Sequence, residues 1–222
     1  MTTRTVVYLV CAASLTISLG GSAAEPLIQT IKADVWADNW FALYAGDELI
    51  KEDSVPYNTE QSFNAESFTF DVALPALLSV VLKDFKENDS GLEYIGSRWQ
   101  QMGDGGFVAQ FFDANTNSPV AMSDESWRCL TVHQAPINKS CERSSNPEQA
   151  CEAIIQPEPD NWKSADFDDS AWPQAVVHSA REVRPHGGFS RVSWNSTARL
   201  IWTEDLETDN TVLCRFTIAA PE

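Results

Sequence analysis

The chain has 222 residues, with 15 Lys and Arg against 32 Asp and Glu, for a net charge of −17 at pH 7. A surface of that sign repels nucleic acid and anionic lipid and suits neutral ligands or cations. The length fits one domain with a sizeable core.

Residues 1–24 read as a secretory signal. Arg4 gives the positive start, an apolar run covers residues 6–19, and the small residues Ser22 and Ala24 precede a cut before Glu25. The apolar run is shorter than the roughly 20 residues that span a bilayer. The expected protein is secreted, periplasmic or held at the cell surface, does not span a membrane, and forms a single domain over residues 25–222. Cys11 leaves with the signal. Cys129, Cys141, Cys151 and Cys214 remain. An even number in an exported chain predicts two disulfides, with three pairings open. The short spacing makes Cys141–Cys151 a local staple and leaves Cys129 and Cys214 to pair across the sandwich. The spacing fits no zinc pattern.

Strand signals dominate the chain. Residues 31–36 alternate apolar and polar, Asp38 and Asn39 interrupt, and residues 40–50 read as a hairpin turning near Gly46. Phe63, Phe68, Phe70 and Val72 continue the alternation, and residues 77–85 form an apolar run read as a buried strand. Gly103, Gly105 and Gly106 turn the chain into a strand over residues 107–113. They lack the spacing of a phosphate-binding loop. Residues 115–119 make the next turn, residues 127–133 another strand, and residues 135–159 a long connection stapled by cysteines. Residues 161–173 hold a Phe-Asp-Asp-Ser turn between Trp162 and Trp172, read as a loop pinned to the core by its aromatics. Strands at 198–202 and 211–218 close the chain. Many short strands and no long amphipathic helix predict an all-β, antiparallel jelly-roll sandwich.

Several segments resemble, in order, the galactose-binding-like β-sandwiches that accompany rhamnosidase-type enzymes. These are Ala37-Asp38-Asn39 with Tyr44-Ala45-Gly46, the glycine-led strand at Phe107, Ser123 to Trp127, the Phe167-Asp168-Asp169-Ser170-Ala171-Trp172 loop, Ile201-Trp202, and Cys214-Arg215-Phe216. The resemblance implies a galactose-binding-domain-like fold and a non-catalytic ligand-binding module, with carbohydrate as the default ligand. A second set of words is Lys83-Asp84-Phe85-Lys86-Glu87, Gly91-Leu92-Glu93-Tyr94-Ile95, Gln101 to Gly106, and the tail from Leu206 to Arg215. It resembles the copper-repressed surface copper-binding proteins of methane-oxidising bacteria, which hold copper through histidines and an oxidised tryptophan. This chain departs from them in lacking a Trp-x-His.

Candidate site residues follow from side-chain chemistry and from these resemblances. His133, His178 and His186 are the copper candidates, because imidazole suits copper. Asp168 and Asp169, with Asp38 and Asp124 at other turns, are calcium candidates by analogy with loop carboxylates in galactose-binding-like modules. They can equally cap their own turns. Trp99, Trp36 and Trp40 are the candidate platform for a sugar face. No catalytic motif is present, so the expectation is a protein that is not an enzyme. A structural or adhesive surface protein is the remaining alternative.

Overall fold

The computed structural model describes residues 27–59 and 62–220; the signal read at residues 1–24 lies outside them. The strands are β1 (Leu27–Asp38), β2 (Trp40–Ala45), β3 (Glu48–Glu52), β4 (Ala65–Leu74), β5 (Ala76–Lys83), β6 (Leu92–Glu93), β7 (Gln101–Met102), β8 (Gly106–Asp113), β9 (Pro119–Met122), β10 (Arg128–Gln134), β11 (Ile154–Ile155), β12 (Val176–His178), β13 (Leu200–Trp202) and β14 (Asp209–Ile218). Among the described residues helix is confined to single turns, α1 (Pro147–Ala150), α2 (Ala180–Val183) and two 3-10 turns at 139–143 and 187–191. No helix of the described residues is long and apolar enough to cross a membrane.

Sheet one runs β12-β13-β8-β1-β4, with β9 beside β8. Sheet two runs β11-β10-β14-β5-β2-β3. Every pairing is antiparallel. Strand alternation sends every second side chain to one face. Ile31, Ala33, Val35 and Ala37 of β1 therefore meet Leu78, Val80 and Leu82 of β5, with Phe107, Ala109 and Phe111 of β8, in one core between the sheets. The all-β antiparallel architecture is as the sequence predicts.

Both sheets also bury residues on their outer faces, which explains runs too apolar for simple alternation. On sheet one, Trp36 and Val108 pack against Val183, Phe189 and Trp194 from the α2 region. On sheet two, Val81, Val132 and Leu213 pack under Trp162 and Trp172. The loop of residues 161–173 is thus a lid of aromatics, its two tryptophan rings 6.0 Å apart.

Both disulfides form, Cys141–Cys151 and Cys129–Cys214. The second does not cross the sandwich as the sequence reading expects. Cys129 and Cys214 are register partners on β10 and β14, neighbours in sheet two. Both residues face the core at the same height, so their sulfurs meet sideways within one sheet.

Candidate functional site

One end of the sandwich gathers carboxylates. β1 leaves sheet one at Asp38 and β2 enters sheet two at Trp40, so Asn39 alone makes the crossing. The Asn39 N–H donates to Lys83 O at 3.0 Å, and its Oδ1 accepts from Phe85 N at 2.6 Å. These bonds hold the crossing against the end of β5, which brings Asp38 beside Asp84. Asp38 is also the register partner of Gly106, so Asp104 arrives at the same end from the turn before β8.

Carboxylate oxygens of Asp38, Asp84 and Asp104 all lie within 4.8 Å of one another. Among the described residues this is the one group of three or more His, Cys, Asp or Glu so placed. Asp38 is 0% exposed and Asp84 1%. Both carboxylate oxygens of Asp38 and Oδ1 of Asp84 are buried without a hydrogen-bond partner. Burial raises the Asp38 pKa well above the ordinary carboxylate range, and the charges of Asp104 and Glu93 push it further. Burial does the same to Asp84, aided by Asp38, Glu93 and Asp104. Asp104 is raised by burial and pulled back by His186 and Arg184. Buried Glu93 on β6 accepts a 2.9 Å bond from Gln101 on β7.

Local features build this end. A Cβ on Gly103 would lie 1.6 Å from Asp84 Oδ2, and one on Gly105 would lie 2.5 Å from the Trp202 ring. The glycines are therefore where backbone packs directly on the carboxylate and the indole. Ser179 caps α2 reciprocally with Glu182. The chain then turns through Arg184 at φ 52°, bringing Arg184 and His186 towards Asp104. Buried Asn210 donates its amide to Ala135 O and Thr208 O. Its carbonyl accepts the Asp84 N–H, and its Oδ1 has no hydrogen-bond partner.

The opposite end is a cleft of about 460 Å³ lined by Met122, Asp124, Trp127, Arg128, Asp169 and Arg215, among others. Trp127 stacks on Phe216 at 3.8 Å. Arg215, on β14, is 2% exposed and donates to Asp169 Oδ2 at 2.6 Å, Phe167 O at 3.0 Å and Ser164 O at 2.7 Å. Its Nε is buried without a partner. Arg128 donates to Trp172 O at 3.0 Å. Both arginines are thereby tied to the loop of residues 161–173.

The residues singled out from sequence are dispersed. His133 lies in β10 with Nε2 3.4 Å from Asp89, and burial and Lys86 lower its pKa. His178 lies in β12, its Nε2 2.9 Å from Thr203 O. His186 packs against Phe63, the ring centroids 3.8 Å apart and the planes tilted by 47°. None of the three belongs to a close group of three ligand atoms among the described residues. Asp168 accepts from Ser170 N at 3.0 Å, and the bonds from Ser170 lower its pKa. Asp169 pairs with Arg215.

Trp36 is a correction. It is 0% exposed, and its Nε1 donates to Phe63 O and His186 O, because the α2 region covers the outer face of sheet one. It is not a surface platform. Trp40 is half-buried under Lys83, whereas Trp99 is 63% exposed with Arg98 over its ring. Sequence reasoning missed Asp84 and Asp104 as site residues, although both stand inside the quoted words Lys83 to Glu87 and Gln101 to Gly106. No protein-family model matches the chain, and neither does any curated protein or solved structure.

Proposed function

We propose that this chain is an exported, non-catalytic binding module of galactose-binding-like, jelly-roll type whose ligand is carbohydrate, bound in the cleft at the Arg215 end. The observation that carries this reading is a buried arginine whose Nε has no partner, lining a 460 Å³ cleft beside an aromatic stack. That volume lies within the roughly 300–1,000 Å³ of small-molecule sites. Asp124 and Asp169 balance Arg128 and Arg215 in the lining, which suits a neutral ligand. Sugar hydroxyls both donate and accept, so carboxylate and guanidinium groups together match them, while Met122 and Val120 offer apolar surface to the ring face. Trp99, exposed in the loop between β6 and β7, is a separate stacking surface.

A glycan array followed by tryptophan fluorescence titration tests the reading. The expected result is a saturable fluorescence change with at least one neutral glycan, weakened about tenfold in Arg128→Ala, the loss of a good charged hydrogen bond. Silence across the array, or an Arg128→Ala variant that binds like the wild type, would overturn it. Stoichiometric copper on protein from its native host would replace it with a copper-binding reading.

A further inference from the structure

We propose that Asp38, Asp84 and Asp104 hold a calcium ion at the end of the sandwich opposite the cleft. This site is independent of the carbohydrate reading. Asp38 is wholly buried, and neither of its carboxylate oxygens has a hydrogen bond. Asp84 is almost as buried, with Oδ1 equally bare. A buried carboxylate persists where a hydrogen bond, a counter-charge or a metal compensates it. Here the charges that act on Asp38 come from other acids, Asp104 and Glu93, and a carboxylate oxygen of Asp84 stands within 4.8 Å. The basic groups Arg184 and His186 act on Asp104 at the rim. The missing partner of the inner pair is a cation that sits among all three.

The donor set names its class. Carboxylate oxygens suit hard ions and leave copper and zinc to imidazole and thiolate. Oxygens within 4.8 Å of one another fit around one ion at calcium–oxygen distances of about 2.3–2.6 Å. Magnesium binds at about 2.0–2.1 Å and keeps several waters, which a site closed to solvent at Asp38 and Asp84 does not supply. A divalent ion on three carboxylates leaves one negative charge, which Arg184 offsets from outside. Asn210 Oδ1 is a further buried oxygen without a hydrogen-bond partner on a residue bonded to Asp84. The ion would join the end of β1 in sheet one, the end of β5 in sheet two and the turn before β8.

The test uses the full mature chain, stripped with EGTA and titrated with calcium chloride. One ion per chain should bind by calorimetry, with a rise in Tm of roughly 5–10 °C at saturation. Terbium in place of calcium should luminesce on tryptophan excitation, because Trp202 packs on Gly105 beside Asp104. Asp38→Asn and Asp84→Asn should lose the ion and the Tm rise, and Asp168→Asn should keep both. Metal-free Asp38→Asn should melt no lower than stripped wild type, since it removes a charge that has no partner there. The proposal fails if stripped wild type takes up no ion, if Asp38→Asn still binds it, or if Asp168→Asn loses it. It also fails if metal-free Asp38→Asn melts well below stripped wild type, or if equimolar zinc or copper displaces calcium.

Discussion

At one end of the sandwich Asp169 meets Arg215, and at the other Asp38 meets Asp84 and Asp104. The Arg215 end is neutralised within the chain, with the Arg215 Nε left without a partner. Its guanidinium reaches a carboxylate and two carbonyls of the aromatic loop, and Asp168 beside it is satisfied by Ser170. The Asp38 end places acids against acids with the hydrogen bonds left out. Two acidic places in one chain thus behave oppositely. Clustered acids in sequence are the ones already neutralised, and acids far apart in sequence are the ones that want a cation.

Arg215→Ala should break the comparison most severely. It leaves Asp169 and two loop carbonyls without their donor under a buried lid, and truncating one partner of such a pair costs about 3–5 kcal/mol. Urea unfolding measures this, and a loss below about 1 kcal/mol would mean that Trp162 and Trp172 hold the loop by themselves. Gly103→Ala should cost less, about 1–3 kcal/mol, as overpacking does, because its methyl meets the Asp84 carboxylate. The same variant should lose its calcium-induced Tm rise, and one that melts and responds like wild type would remove Gly103 from the wall of the site.

The smallest effect is on pH. In the folded, metal-free chain Asp38, Asp84 and Asp104 have raised pKa values, and burial pushes Asp53 up to about 6. A raised folded-state pKa gives stability that is present below the unfolded carboxylate value, near 4, and is lost as pH rises through the folded value. Stripped protein should therefore lose stability between about pH 4 and pH 6 or above, and Asp38→Asn should flatten that slope. Saturating calcium should suppress it in wild type. Chemical unfolding of the stripped protein at a series of pH values measures the slope, and a stripped protein that gains stability over this range in an Asp38-dependent way would contradict the uncompensated cluster.

Much of the architecture is legible because it rests on local chemistry. The alternation of Ile31, Ala33 and Val35, the turn at Gly46 and the even cysteine count each act over a few residues, and each is found where the sequence places it. The Trp162 and Trp172 anchors are legible for the same reason. The carboxylate end is not, because Asp38, Asp84 and Asp104 come from three segments and meet only through the Asn39 crossing and the pairing of β1 with β8. Trp36 misleads because alternation marks it as outward-facing and gives no sign that the α2 region, some 150 residues later, covers that face. The side-by-side position of Cys129 and Cys214 likewise depends on strand order, which their spacing does not encode.

The Cys129–Cys214 bond, lying between two neighbouring strands, makes residues 129–214 a covalent ring that carries the stapled connection, the aromatic lid, α2 and β13. Exposed basic residues on that ring, such as Arg143 and Arg181, lie open to a trypsin-like protease. A single cut at Arg181 would open the ring without releasing a fragment. The clipped protein would keep its full mass on a non-reducing gel and fall into two pieces only after the thiols were reduced.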